Sequence, residues 1–264
     1  MGRKLRNAPV YFTIVQARFN PILALDTYAP QVQESLRKQG YPDAQKGVLT
    51  TFNLTLGSPR EIPPSQVPVD QTMRYTFLNI ERTAGFVLDQ GALSFQTTEY
   101  DVFESFLAAF LTGLRIIHEV VDLSYTERLG VRYLDAVFPR TGEALPSYLN
   151  ESLLGLSGKI EGHQLVHAFS ETVGRMGAIT IVARAIVQDG PIGFPPDLQP
   201  GNLVVAERFR ARVGLHAILD IDGSYDQRER FDLDRVREHL TDIHEQITKS
   251  FKTSVTPHAL DVWS

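Results

Sequence analysis

The sequence predicts an α+β protein in which two similar halves of antiparallel sheet are covered by helices. The first half follows the βαββαβ order of a ferredoxin-like unit. Three observations lead there. Short β-branched and aromatic runs are joined by Gly- or Asp-containing turns, the mark of antiparallel pairing. Two long stretches carry apolar residues at helical spacing. Those two stretches share the tripeptides Ile117-His118-Glu119 and Ile243-His244-Glu245, close to half the chain apart, each followed by a Ser-x-Thr triplet (Ser124 to Thr126, Ser254 to Thr256). Such an offset reads as a duplicated α+β unit. The halves are placed at residues 1–139 and 147–264, with the boundary near Pro139–Pro146.

Each element has its own reason. PVYFTIVQARF (9–19) is a strand that Asn20-Pro21 ends. LDTYAPQVQESLRKQGYP (25–42) reads as a helix, with Asp26 or Thr27 as N-cap and Gly40-Tyr41-Pro42 as the stop. Residues 57–71 hold four prolines and read as a loop. Residues 73–100 supply two or three short strands with turns at Thr83-Ala84-Gly85 and Asp89-Gln90-Gly91. The clearest helix is 101–121, where apolar residues at 103, 106, 107, 110, 111, 114, 117 and 121 form one face. Residues 125–138 are a strand ended by Pro139. The second half begins with a short helix at 145–156, then strands at 165–176 and 178–190 and a proline-rich loop at 190–200. A long strand at 204–222 and a helix at 232–251 complete it; in that helix Leu240, Ile243 and Ile247 are assigned to the core.

Composition narrows the functional classes. Apolar residues make up 43% and charged residues 22% of the chain, ordinary for a globular protein. A net charge of -5 argues against attraction of the whole protein to nucleic acid or an anionic membrane, leaving only a local basic patch. The chain contains no cysteine, so thiolate catalysis, cysteine zinc sites and disulfides are excluded. Neither a signal-like apolar segment nor a run of membrane-spanning length is present, and a cytoplasmic location is expected.

One motif invites a sharper reading. Asp220-Ile221-Asp222-Gly223-Ser224 resembles the first motif of haloacid-dehalogenase-like phosphotransferases, whose first Asp is the nucleophile and whose second is the general acid/base. That chemistry needs further βα units downstream, and only 42 residues follow Asp222, mostly one helix. The residues before it are turn-linked strands. Asp220 and Asp222 are therefore read as strand and turn residues.

By parity, residues 205–222 place Val205, Phe209, Val213, Leu219 and Ile221 on a core face, and Arg208, Arg210, Arg212, His216, Asp220 and Asp222 on a wet one. Three arginines about 7 Å apart on one strand face match the spacing of phosphates in an extended single strand. Arg82, Arg128, Arg132 and Arg184 also fall in expected strands. The candidate binding residues are thus Arg128, Arg132, Arg208, Arg210, Arg212 and Asp220. Their plain alternative is a solvated, ion-paired sheet face, and the aromatic interleaving of a stacking platform is missing.

His163 and His167 stand four apart but lie in loop and strand, outside any His-Glu-x-x-His frame, and His118 and His244 read as packing or helix-surface residues. No Gly-x-Ser-x-Gly, phosphate loop or dinucleotide fingerprint occurs. No catalytic residue, metal or cofactor is assigned. The expectation is a non-enzymatic binding or assembly protein with a protein partner or a second copy of itself, against the alternative of a nucleic-acid-binding or processing protein using the arginine face.

Four blocks carry a family resemblance: FTIVQARFNPI, LSFQTTEYDVFESFLAAF, RLGVRYLDAV and ILDID with LTDIHEQITKSFKTSVT. Together they resemble a sporadically distributed family of prokaryotic proteins of similar length. In its pattern the middle block reads Gly-Leu-Arg-Tyr-Ile-Asn, where this chain has Gly130-Val131-Arg132-Tyr133-Leu134-Asp135. The resemblance implies no activity, cofactor or catalytic residue. The family's patchy distribution implies an accessory, antitoxin-like or defence-linked component of a prokaryotic operon.

Overall fold

The computed structural model of the chain describes residues 6–52, 69–156, 159–162, 165–198 and 200–264. The expected proline-rich loop from residue 57 falls outside these residues, except that 69–71 begin a strand.

The fold is α+β, built on one antiparallel sheet. Its elements run β1 (Val10–Phe19), α1 (Leu25–Lys38), β2 (Asp43–Phe52), β3 (Val69–Leu78), β4 (Ala84–Asp89), β5 (Ala92–Thr97), α2 (Phe103–Val121) and β6 (Tyr125–Val137). Two 3-10 turns at Leu145–Ser147 and Glu151–Leu153 stand where one short helix was expected. Then come β7 (His167–Met176), β8 (Ile179–Pro191), α3 (Glu207–Arg210), β9 (Val213–Tyr225), β10 (Glu229–Arg230), α4 (Leu233–Ser254) and α5 (Pro257–Trp263).

The strand order is β2-β3-β4-β5-β1-β6-β9-β8-β7, with β10 on β6. Outward from the central β1–β6 pair lie two meanders, β5-β4-β3-β2 on one side and β9-β8-β7 on the other. Each meander hands the chain on to a long helix, α2 or α4. In the first half β1 lies between β6 and β5 with β2 outermost, as in a ferredoxin-like unit, but one extra hairpin widens it. That hairpin exists because β2, DAQKGVLTTF, is a strand that its polar composition conceals from periodicity. The sheet runs unbroken past residues 139–146, since β6 pairs with β1 on one side and β9 on the other.

The helices α1, α2 and α4 pack on one face of the sheet. Odd-numbered residues of the central strands point into that layer: Val15, Ala17 and Phe19 of β1, Leu129, Val131 and Val137 of β6, Leu219 and Ile221 of β9. Leu240, Ile243 and Ile247 of α4 meet them and are buried, as the spacing required. Gly223 is where α4 comes closest. A Cβ there would lie 2.6 Å from Ile243 Cγ2 and 3.1 Å from Ile247 Cδ1. Asp222-Gly223 is accordingly no turn; β9 continues to Tyr225, and the glycine makes room for the helix.

The opposite face differs from the wet surface expected of it. Residues 192–198 and 200–206 cross it as a strap and build a second core of Tyr11, Phe12, Leu134, Ala136, Phe138, Ile186 and Ile218 with Phe194, Leu198, Val205 and Phe209. Tyr11 Oη donates to Gly193 O (2.7 Å), and Thr98 Oγ1 donates to Val204 O (2.6 Å). The single long strand expected over 204–222 is therefore three things: the end of the strap, the one-turn helix α3, and β9 from Val213.

Gly223→Ala should destabilise the fold by about 1–3 kcal/mol through overpacking against α4. Adding Ile243→Ala should make the double variant less destabilised than the sum of the singles in urea denaturation. Strict additivity would show that Gly223 does not set the α4–sheet distance.

Candidate functional site: a charged groove under the strap

The site begins with one acid and two bases at the centre of the sheet. β6, β9 and β8 are neighbours, with Leu134 opposite Asp220 and Asp220 opposite Arg184. Alternation puts Arg132, Asp220 and Arg184 on the strap side. Asp220 is wholly buried (0% exposed) and the Arg132 side chain 8% exposed. Arg132 donates through Nε to Asp220 Oδ1 and through Nη2 to Oδ2, both at 2.7 Å. From the other end of its fork it donates to Asp197 of the strap, Nη1 to Oδ2 at 2.6 Å and Nη2 to Oδ1 at 3.2 Å. Arg184 adds Nη1 to Asp220 Oδ2 at 3.3 Å and Nε to Glu171 Oε2 at 2.7 Å.

The first Asp of the phosphotransferase-like motif thus lies within an ion-paired cluster. Burial works against the charge of Arg132, yet its hydrogen bonds to Asp220 and Asp197 outweigh that and hold its pKa above the usual value. The same bond from Arg132 pulls the Asp197 carboxyl below its usual range. Asp220 has both oxygens engaged by guanidinium groups. It acts as the counter-ion that lets arginine stand inside the sheet.

The strap divides the rest of this face into two adjoining hollows. One, of about 430 Å³, has Gln16, Ser94 and Gln96 on its floor and Arg74, Val87 and Asp89 beyond. The other, of about 230 Å³, is lined by Arg128, Gly130, Arg132 and Asp222. Ile14, Gln16, Asp197 and Leu198 belong to both. Arg128 reaches Asp226 (Nε to Oδ1, 3.2 Å) and lies over Gly130, where a Cβ would be 2.9 Å from its Nη1. Burial raises the pKa of Asp222, and Arg128 opposes the rise. Arg74 Nε is buried with no hydrogen-bond partner among the described residues. The groove therefore carries Arg74, Arg128 and Arg132 against Asp89, Asp197 and Asp222.

Of the candidate residues, Arg128, Arg132 and Asp220 converge here, joined by Arg184. Arg208, Arg210 and Arg212 do not form a stripe. Arg208 lies over the Phe209 ring and Arg210 pairs with Glu207, both within or beside α3. Arg212 covers the Phe138 ring and reaches the carbonyls of Phe138 and Pro139. A one-turn helix cannot hold three side chains on one line, so the phosphate-like spacing disappears. Arg82 is likewise no strand residue; it occupies the β3–β4 turn with φ +53° and pairs with Asp43. His163 lies outside the described residues, His167 opens β7, and no group of three metal-ligating side chains occurs among the described residues.

Sequence reasoning missed Arg74, Gln16 and Asp197. Arg74 had a signal, since it alternates with Tyr75 and Phe77 of the core face. Asp197 had none, because a Pro-Pro-Asp loop does not announce which strand it crosses.

Beneath the helices lies a separate polar cluster. Tyr100 Oη and Tyr133 Oη are 3.3 Å apart, and Tyr133 Oη is 3.0 Å from His244 Nδ1. His244 stacks on Phe103 with ring centroids 3.9 Å apart, while His118 stacks on Phe231 at 4.3 Å. Each long helix thus presses its histidine on a phenylalanine at or just before the start of the other, which makes both packing residues. Burial pushes the His244 pKa down to about 4, with Glu104 opposing. Asp135, two residues beyond Tyr133 on the same face, is buried, and this burial together with the Asp220 charge raises its pKa to about 7.

The two groups act on stability in opposite senses. Folded Asp135 holds a proton that the unfolded carboxyl has released, so its contribution is present below about pH 4 and is lost as pH rises towards 7. Folded His244 lacks a proton that the unfolded imidazole carries, so its contribution is lost as pH falls from about 6.5 to 4. Asp135→Asn should therefore match the wild type near pH 4 and exceed it by a few kcal/mol at pH 8. A stability difference that stays constant across chemical denaturation at pH 4, 6 and 8 would refute the assignment.

Asp220→Ala leaves Arg132 and Arg184 without their buried partner and should cost about 3–5 kcal/mol. Arg132→Met with Asp220→Leu removes both charges and should cost less than Asp220→Ala alone. A larger loss in the double variant would mean that the pair stabilises by more than mutual neutralisation.

A scan against protein-family models and searches of curated proteins and of solved structures return no match to this chain.

Proposed function

We propose that the protein is a non-enzymatic binding or assembly component that holds an extended segment of a protein partner in the groove under the strap. The observation that carries this is the groove's composition, three arginines interleaved with three aspartates over a floor of Gln16, Ser94 and Gln96. Amide and hydroxyl floors suit the N–H and C=O groups of an extended peptide. Arg74, with its Nε unpaired, suits a carboxylate on that peptide. A polyanion would meet an aspartate beside each arginine, and the arginine stripe that favoured nucleic acid is not formed. The engagement of Asp220 by two arginines supports a structural rather than a nucleophilic role. An accessory or defence-linked part in a prokaryotic operon, implied by the family resemblance, belongs to the same proposal. Among the described residues no helix is long and apolar enough to cross a membrane.

The test is a photo-crosslinking residue at Val87 in the groove, with Glu238 on the exposed side of α4 as control, in cells of the native host. The expected result is one protein adduct from position 87, none from 238, and roughly tenfold less adduct after Arg74→Ala. Single-stranded oligonucleotide binding at physiological salt that Arg74→Ala abolishes would replace this function with nucleic-acid binding. The absence of any protein adduct from position 87 would also overturn it.

A further inference from the structure

Most side chains of the edge strand β7 are exposed on both faces. Phe169 is 55% and Val173 60% exposed on the strap side, and Met176 54% on the helix side. Natural sheets blunt such edges with proline, lysine, a bulge or a covering element. β7, HAFSETVGRM, has no proline or lysine, and its register with β8 is unbroken from His167↔Gln188 to Met176↔Ile179. Nothing among the described residues pairs with its outer side.

The register fixes which groups face outward. Gly177 (φ +59°) and Ala178 form a two-residue turn between β7 and β8. Glycine with positive φ at the first central position marks a type II′ hairpin, in which the flanking residues Met176 and Ile179 exchange hydrogen bonds. Even-numbered residues of β7 therefore bond to β8. His167, Phe169, Glu171, Val173 and Arg175 turn their backbone N–H and C=O to the free edge. The same odd residues share the strap-side face.

This edge is complementary to itself. We propose that β7 pairs antiparallel with β7 of a second copy about a two-fold axis at Val173, joining the two sheets into one. In that register Val173 is a hydrogen-bonded pair with its own counterpart, and both members offer outward N–H and C=O groups. Glu171 of each copy stands opposite Arg175 of the other, giving two cross-strand ion pairs around an apolar centre. Arg175 makes no ion pair within its own chain among the described residues, whereas Glu171 already pairs with Arg184. The dimer thus supplies Arg175 with a carboxylate and extends the chain of charges from Asp220 across the axis. A second copy is favoured over a foreign strand because a two-fold needs the central residue to match itself and opposite charges to sit at equal distances on either side. Val173, Glu171 and Arg175 meet both conditions.

Light scattering over a concentration series tests this with the full chain. Wild type is expected to be a dimer. Val173→Pro removes an N–H that β8 does not use and is expected to give a folded monomer whose melting temperature no longer depends on protein concentration. Arg175→Glu places acid opposite acid and is expected to weaken association about tenfold or more, and adding Glu171→Lys should restore it. The chain has no cysteine, so single cysteines report the axis directly. At position 173 the Cα atoms would be about 5.5 Å apart, and a short bis-maleimide should join them. At position 175 they would be roughly 14 Å apart or more, and it should not. A monomeric wild type at all concentrations, failure of Glu171→Lys to restore the Arg175→Glu variant, or equal crosslinking at 173 and 175 would overturn the proposal.

Discussion

The interaction on which the rest of this structure depends is the forked bond of Arg132 to Asp220 and Asp197. An arginine facing the centre of a ten-stranded sheet must be neutralised on the spot, because charge transferred from water costs several kcal/mol unless matched. Asp220, one strand away and wholly buried, supplies the match from within the sheet. Asp197 supplies the second from outside it, and in doing so fixes where the strap crosses. Tyr11 and Thr98 then hold the strap on either side. The apolar second core and the polar groove are divided by this crossing point.

The two faces of the sheet therefore do different work. The helix side is a conventional core in which Gly223 sets the closeness of α4, and reciprocal histidine–phenylalanine stacks tie α2 to α4. Of its polar residues, Tyr133 and His244 are uncharged at neutral pH and Asp135 is uncharged below about pH 7. On the strap side Arg132 and Arg184 pair with Asp220, and Arg128 with Asp226. The difference follows from counter-ions: Arg132 and Asp220 are as buried as Tyr133 and Asp135, but each has an opposite charge within hydrogen-bond reach.

Symmetry of order links the fold to its surfaces. With β1 and β6 at the centre, the two meanders end in edge strands, β2 on one side and β7 on the other. β7 has a repeated polar–apolar alternation and opposite charges about a central valine, which give its free edge a preferred register. The Gly130–Asp135 block sits in the central strand β6 and contributes to both faces. Arg132 serves the groove, and Tyr133 and Asp135 serve the buried cluster.

Local pattern determined much of this protein. The α+β class, the spans of α2, α4, β6, β7 and β8, and the core positions of Leu240, Ile243 and Ile247 follow from periodicity and turns. Some features were beyond such reasoning. Strand β2 is too polar to show a buried face, and α3 breaks the alternation of Glu207–Arg212 because Phe209 must reach the second core. Arg128, Arg132, Arg208, Arg210, Arg212 and Asp220 were legible only as charges in expected strands, and the structure brings Arg128, Arg132 and Asp220 together while Arg208, Arg210 and Arg212 lie in or beside α3. Which carboxylate each arginine meets is decided by strand order and by the path of a strap that joins residues 65 apart. Sequence spacing carries the period of an element, but the pairing of charges across elements arises only when burial forces each to find its counter-ion.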